Sequence, residues 1–428
     1  MTRGVTWNLT GTVFNQGSTF LVNILLAHLL DMSAFGAYVM TQSTVLTLSA
    51  LAQLGIGYTA TKYVAEFRVT DRERTGRLLG LLAVISAGMG IVAASILLVG
   101  GRWLASDVLR EPHLATAFAI ASVGVLFIVT NGFLMGALAG LEAYARLGRA
   151  GVFSGTFYVV ACVAGGLLGG FLGAVAAVAL SAVFQCAVLA RSMAAETHRQ
   201  EIPIRFAPAR AETRVVWRFA VPAALNAFVG LPVLWWGNAL LARQSGGYEL
   251  LAVFSAANNF RIIVLFLPNI VNNVSMSLLN FQKGVGDDPR YRRLFWFNLS
   301  ATVAIVVVGA AGISLLGRWL LAFFGPGFVH GYPTLVVLMV AALAETIALA
   351  MFQIIQSRER IWLSFIGVAI PCFTTLALVA WLLTPGGGPV GLAWAYVAGW
   401  VVALVASVLI VSRIGIRLPD AGPVIASA

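Results

Sequence analysis

Carboxylates are scarce in this chain. Sixteen Asp and Glu stand against 27 Lys and Arg in 428 residues, and charged residues of both signs make up only 10%. A soluble domain carries about 25%. The shortage excludes an ordinary water-facing surface and thins the supply of acid–base groups that an enzyme needs. Cysteine is nearly absent. Cys162, Cys186 and Cys372 all fall in apolar stretches, which excludes a disulfide scaffold. His28, His113, His198 and His330 are scattered without metal-ligand spacing. There is no Walker A loop, no paired acidic motif for a metal-bound sugar nucleotide and no nucleophile–His–acid set. The first apolar stretch is interrupted by Asn8, Asn15, Gln16 and Asn23 and no small-residue cleavage site follows, so it reads as a retained helix and not a signal peptide.

What the chain has instead is hydrophobicity: 60% apolar residues and a mean hydropathy of +0.92. Residues 78–100, 151–190 and 389–412 carry no charge at all. Roughly 20 such residues cross about 30 Å of hydrocarbon. The pattern predicts an all-α polytopic membrane protein with about twelve spans, near 5–30, 35–63, 78–100, 114–141, 150–170, 172–192, 217–242, 249–281, 294–317, 333–356, 361–383 and 389–412. The fifth and sixth adjoin at Gly165–Gly173, which predicts a tight helical hairpin.

The net charge of +11 would suit nucleic acid, but its distribution suits a membrane. Arg3, the 62–77 cluster, Arg146 and Arg149, the 191–218 cluster, the 283–293 cluster, Arg358, Arg360, Arg413 and Arg417 fall on alternate loops. The opposite loops hold only Arg102, Arg110, Arg243 and Arg318. The positive-inside rule puts the first set and both termini in the cytoplasm, and gives no role to nucleic acid.

Short matches recur in order along the two halves. Gly101-Arg102-Trp103-Leu104 parallels Gly317-Arg318-Trp319-Leu320, and Gly170-Phe171-Leu172-Gly173 parallels Gly388-Pro389-Val390-Gly391. Six spans per half insert with the same orientation, so the expected architecture is two parallel six-helix lobes around a central cavity. The lobes would be 1–192 and 217–412, joined by a basic cytoplasmic connector at 193–216 and followed by a cytoplasmic tail at 413–428.

Within the spans, amides form stripes. Asn8, Thr12, Asn15, Thr19 and Asn23 fall within roughly 80° of arc on the first helix. Gln42, Ser49 and Gln53 align on the second, and Asn258, Arg261, Asn269, Asn272 and Asn273 lie along the eighth. Lipid-facing amides would go unpaired, so these faces point inward, either as glue between helices or as the wall of a wet cavity. The expected substrate contacts are Asn15, Asn23, Gln53, Asn258, Asn269 and Asn272, together with Arg261. Arg261 and Glu345 are charges in the middle of spans, where insertion costs at least about 2.5–3.5 kcal/mol. Two readings stand. If they pair, they form a latch. If they do not, Arg261 is a phosphate clamp and Glu345 a carrier for proton or sodium coupling. No bound cofactor or metal is expected.

The run Leu26-Ala27-His28-Leu29-Leu30, then Phe35-Gly36-Ala37-Tyr38, then Gln53-Leu54-Gly55-Ile56-Gly57, resembles the opening of bacterial polysaccharide-biosynthesis flippases of the multidrug/oligosaccharidyl-lipid/polysaccharide (MOP) exporter superfamily. Arg218-Phe219-Ala220-Val221-Pro222 is similar to that family's mid-chain pattern. The resemblance departs at His28, where the family often has Arg, and at Gln53, where it often has an acid. It implies a flippase that moves an undecaprenyl-pyrophosphate-linked oligosaccharide by alternating access, among membrane lipids and beside the glycosyltransferases or polymerase of its pathway. A cation-coupled multidrug exporter of the same superfamily is the alternative, and a membrane glycosyltransferase or polymerase is a third reading.

Overall fold

The structure is a computed structural model that describes residues 2–206, 228–281, 289–357, 363 and 365–413, without the side chains of 2–9, 272–281, 289–294, 353, 354, 356 and 357. Among the described residues every regular element is a helix: α1 Thr2–Leu29, α2 Met32–Gln53, α3 Ile56–Phe67, α4 Arg72–Trp103, α5 Leu114–Gly140, α6 Tyr144–Arg199, α7 Phe228–Ala242, α8 Gly247–Phe281, α9 Pro289–Ala322, α10 Tyr332–Ser357 and α11 Ile370–Arg413. Short π and 3₁₀ turns follow α4, at Leu104–Val108, and α9, at Pro326–Gly331.

Local chemistry sets the helix starts and breaks. Asp31 caps α2 by accepting from the Ala34 N–H at 2.7 Å, and Asp71 caps α4 by accepting from Arg74 N–H at 2.8 Å. Between α2 and α3 the backbone turns left-handed at Leu54 (φ 44°) and Gly55 (φ 66°), and the two helices bend by 42°. Long helix α6 is two passes, not one. Gly170 breaks it at φ 55°, ψ −136°, a conformation open to glycine and strained for any residue with a Cβ. A Cβ on Gly173 would sit 2.1 Å from the Gly165 carbonyl oxygen, so the two arms fold back in backbone contact. This is the hairpin expected at Gly165–Gly173. Gly388 breaks α11 at φ 53°, ψ −134°, and Gly391 meets the Leu383 carbonyl as Gly173 meets Gly165. Two segments far apart in sequence thus share one turn geometry, which gives the sequence repeat a structural counterpart.

Seven described helices are long and apolar enough to cross a membrane, eight if the bent α2–α3 pair is one span. Counting two passes each for α6 and α11, and adding α1 and α7, gives the twelve expected spans. Side chains that point outward are apolar: Leu168 is 89% exposed, Leu315 84% and Trp319 79%. In a bilayer these faces meet lipid, with Trp103 and Trp319 at matching positions as interfacial anchors.

Contacts divide the chain after Glu249 into two units. In the first, α5 lies against α2, α3, α4 and α6, and α1 packs along α6. A buried cluster of Ile56, Val64, Leu79, Leu82, Phe133, Leu138 and Ile202 fills its interior. Helix α7, which opens the second half in repeat order, hydrogen-bonds to α2: Trp235 Nε1 donates to Thr44 Oγ1 at 2.9 Å and Asn238 Nδ2 to Ser43 Oγ at 3.0 Å. In the second unit α10 packs on α9 and α11 around Phe295, Met351, Ile355 and Cys372.

The connector begins as part of the first unit. Glu196, 2% exposed, accepts from Arg146 Nε at 2.8 Å, Arg199 Nη2 at 2.5 Å and Gln200 Nε2 at 2.8 Å. Arg72 pairs with Glu201 at 2.6 Å, and the Arg205 N–H donates to the Gly76 carbonyl at 3.2 Å. Residues 200–206 are therefore strapped across the start of α4. The remainder, 207–216, lies outside the described residues.

Candidate functional site: an uncharged pocket and a buried ion pair

The break between α2 and α3 opens a pocket of about 600 Å³ in the first unit, bounded by α1, α2–α3, α5 and α6. That volume is in the range of small-ligand sites. Its polar groups are Thr12 and Asn15 from α1, Gln53 at the last turn of α2, Tyr58 and Thr61 from α3, and Tyr144 and Gln185 from α6. None of the described lining residues is charged.

Small residues create the space. Gly132 on α5 faces the Gln53 amide so closely that a Cβ there would lie 2.4 Å from Oε1. A Cβ on Gly136 would lie 2.2 Å from the Gly57 carbonyl oxygen. Helices α3 and α5 thus touch backbone to backbone, and Thr61 Oγ1 donates across the seam to the Gly136 carbonyl at 3.1 Å. The Asn15 and Gln53 side chains carry no hydrogen bond to any described residue. Gln185 is held in place, accepting from Asn131 Nδ2 at 3.1 Å. Two free amides and one anchored amide therefore face a common space, with the exposed ring of Tyr58 beside them.

The second unit holds the two intramembrane charges, and they pair. Arg261 Nη1 on α8 donates to Glu345 Oε2 on α10. Arg261 Nε donates to Asn258 Oδ1 one turn back at 2.8 Å, and the guanidinium lies over the Tyr396 ring of α11 with 5.0 Å to its centroid. The side chains of the pair are only 10% and 14% exposed. Of the two expected arrangements, the paired one is present. A lone guanidinium in hydrocarbon is too costly, so the nearest carboxylate is drawn onto it.

The sequence-predicted residues thus separate into two groups. Asn15 and Gln53 meet in the pocket, and Asn258 and Arg261 meet at the ion pair with Glu345. Asn23 is half-buried on α1 and does not line the pocket. Asn269 is exposed on α8, and the Asn272 side chain lies outside the described residues. Tyr58, Tyr144, Gln185 and Gly132 were not legible as site residues. The signal was the glycine pair Gly55 and Gly57, which marks the bend beside which Tyr58 lines the pocket. Among the described residues no group of His, Cys, Asp and Glu could hold a metal ion.

The comparisons agree with this picture. The family model described as "Polysaccharide biosynthesis protein" matches residues 1–279. The EPS I polysaccharide export inner membrane protein EpsE of Ralstonia nicotianae is 26% identical over 403 residues, covering 90% of this chain and 88% of that one, and its Ralstonia solanacearum counterpart is 26% identical over 400. Among solved structures, an inward-facing multidrug resistance MATE family transporter of the MOP superfamily superposes with a TM-score of 0.78 at 16% identity, covering 97% of this chain and 100% of its own. A MOP superfamily transporter from Pyrococcus furiosus, described as having a binding pocket of reverse polarity, gives 0.71 at 16% over 96% of this chain and 94% of its own. At such identities the structures show the fold: the all-α, twelve-span, two-lobe architecture of the MATE transporters. Because the family model covers well over half of the sequence, the chain belongs to the polysaccharide biosynthesis protein family.

Proposed function

We propose that this protein is a flippase that carries a polyprenyl-pyrophosphate-linked oligosaccharide across a bacterial cytoplasmic membrane for surface polysaccharide. The observation that carries the reading is the amide- and tyrosine-lined pocket in the first unit, with no charge among its described lining residues. Sugars offer many hydroxyls and flat, weakly polar faces. Amides donate and accept at once, and tyrosine rings stack, so Asn15, Gln53 and Gln185 with Tyr58 and Tyr144 suit a glycan of a few residues. The relatives named for polysaccharide export in the inner membrane support the same class of cargo and the same membrane.

The drug-exporter reading fits this pocket less well. An organic cation calls for a carboxylate in its pocket, and none is among the described lining residues. Among the described residues, the carboxylate deep in the second unit is already held by Arg261.

In this reading the basic helix ends and both termini face the cytoplasm, residues 1–192 and 217–412 act as lobes that exchange access, and the chain works beside the glycosyltransferases or polymerase of its pathway. The test is complementation of a strain lacking this gene, read as surface glycan per unit of membrane-inserted protein. Each lost hydrogen bond costs about 1 kcal/mol. Asn15→Ala and Gln53→Ala should each lower apparent affinity about fivefold, and the double variant should lower it about thirtyfold. Wild-type glycan output from the double variant removes the pocket from the mechanism.

A further inference from the structure

The face with few basic residues gathers two of them in one place. Only Arg102, Arg110, Arg243 and Arg318 fall on that side of the charge pattern. Arg110 and Arg243 nevertheless line a single open pocket of about 180 Å³ in the first unit, together with Ser33, Glu111, Tyr248 and Glu249. Its walls are the start of α2, the turn before α5, the turn between α7 and α8, and the start of α8. Arg110 sits at φ 59°, a left-handed conformation that favours glycine, where the Glu111 N–H closes the preceding helix end onto the Ala105 carbonyl at 2.8 Å. A strained backbone position thus carries a long cation where glycine would be easier. The frame is tight: a Cβ on Gly36 would lie 1.8 Å from the Tyr248 carbonyl oxygen, and one on Gly247 2.3 Å from that of Ala242. Among the described residues, the side chains of Arg110, Arg243 and Glu249 have no ion pair or hydrogen-bond partner. Glu111 Oε2 lies 2.9 Å from His113 Nδ1, which leaves Oε1 open. Tyr248 is only 6% exposed, and its hydroxyl also has no hydrogen-bond partner among the described residues.

We propose that this pocket binds the phosphoethanolamine headgroup of a membrane lipid. Charge complementarity selects that occupant. A plain anion would meet two glutamates and a plain cation two arginines, so a ligand that carries both signs fits best. The guanidinium groups of Arg110 and Arg243 take the phosphate oxygens, for which their forked donors are suited. Glu249 and the open Oε1 of Glu111 accept from the primary ammonium, with the Ser33 hydroxyl as a further acceptor. The Tyr248 hydroxyl supplies a neutral donor at the wall. Placement agrees with a lipid source. Trp103, 63% exposed, anchors the end of α4 at the interface just before this turn, which puts the pocket at headgroup height. A bound headgroup bridges the turn before α5 to the turn between α7 and α8. Binding of this kind does not depend on what the protein carries.

The full chain in detergent micelles is titrated with dioctanoyl phosphatidylethanolamine, and binding is read by native mass spectrometry. Wild type is expected to prefer it to dioctanoyl phosphatidylglycerol by about fivefold or more. Arg110→Gln/Arg243→Gln should weaken binding by about tenfold or more, because the charge-assisted hydrogen bonds to phosphate are lost. Glu249→Gln should narrow the preference over phosphatidylglycerol to about twofold or less, because it removes a charge that repels the anion. Arg110→Gly separates binding from structure. It relieves the left-handed backbone, so it should keep or raise the melting temperature while weakening binding about fivefold. Equal affinity of wild type for the two lipids overturns the proposal, as does full affinity in the double-arginine variant or in Arg110→Gly. Soluble glycerophosphoethanolamine tests the source of the headgroup. Without acyl chains to bury it should bind about tenfold more weakly, and equal affinity overturns the assignment to a lipid. Asn15→Ala and Gln53→Ala should bind the lipid as wild type does, which keeps this measurement distinct from the glycan output that tests the flippase reading.

Discussion

Arg261 and Glu345 show how far single residues can be read from sequence. Their presence inside spans was enough to mark them, because a charge in hydrocarbon demands a partner or water. Which of the two it had was not written in the chain, since the answer depends on whether α8 and α10 face each other. Asn15 and Gln53 are similar: their polarity marked an inward face, and only the packing put both at one pocket. At the opposite extreme of visibility is Glu196, one acid among many basic neighbours in a connector. The structure buries it under Arg146, Arg199 and Gln200. Charge-assisted hydrogen bonds of this kind contribute about 1.5–3 kcal/mol each. Glu196→Ala should therefore lower thermal stability in detergent by about 2–3 kcal/mol, partly offset because Arg146 and Arg199 can turn to water. An unchanged melting temperature would show that the cluster is only surface decoration.

Among elements, the informative ones are the breaks. A second span was expected over 35–63, and the structure divides it at Leu54 and Gly55 into α2 and α3. A broken helix inside a membrane survives where its freed backbone groups are buried in protein or line a cavity, and here the break sits on the pocket. The close seam between α3 and α5 makes that break rigid. Gly136→Leu would push the two helices apart and should destabilise the protein by about 1–3 kcal/mol or more, with glycan output falling further than protein level. Equal falls in both would assign the residue to packing alone. Gly170→Ala strains the hairpin turn of α6 and should lower stability by about 1–3 kcal/mol. Gly388→Ala should do the same at the equivalent turn of α11, and a large difference between the two would argue against a shared geometry.

For the whole molecule, the repeat is the organising fact. Short sequence echoes were legible because they recur in order, and the matching φ and ψ at Gly170 and Gly388 give them substance. Topology should follow the arginine bias. With single cysteines in a cysteine-free background, a probe that cannot cross the membrane should label positions 72 and 201 only after the cytoplasmic side is opened, and position 110 from outside. The reverse pattern would invert every assignment of face. The strap at 200–206 also refines where motion can arise. The start of the expected connector continues α6 to Arg199 and is then hydrogen-bonded to α4, with Ile202 buried, so 193–206 belongs with the first unit.

Hydrophobic runs, loop charge and repeated glycine turns determined the membrane class, the number of spans and the repeat, because these depend on composition and period along one chain. The partners of each buried polar group were decided only in three dimensions. Pairing Arg261 with Glu345, gathering Asn15, Gln53 and Gln185 around one space, and seating Glu196 beneath two arginines all require contacts between helices distant in sequence. A helix face can announce that it needs a polar neighbour, but packing alone chooses which neighbour it gets.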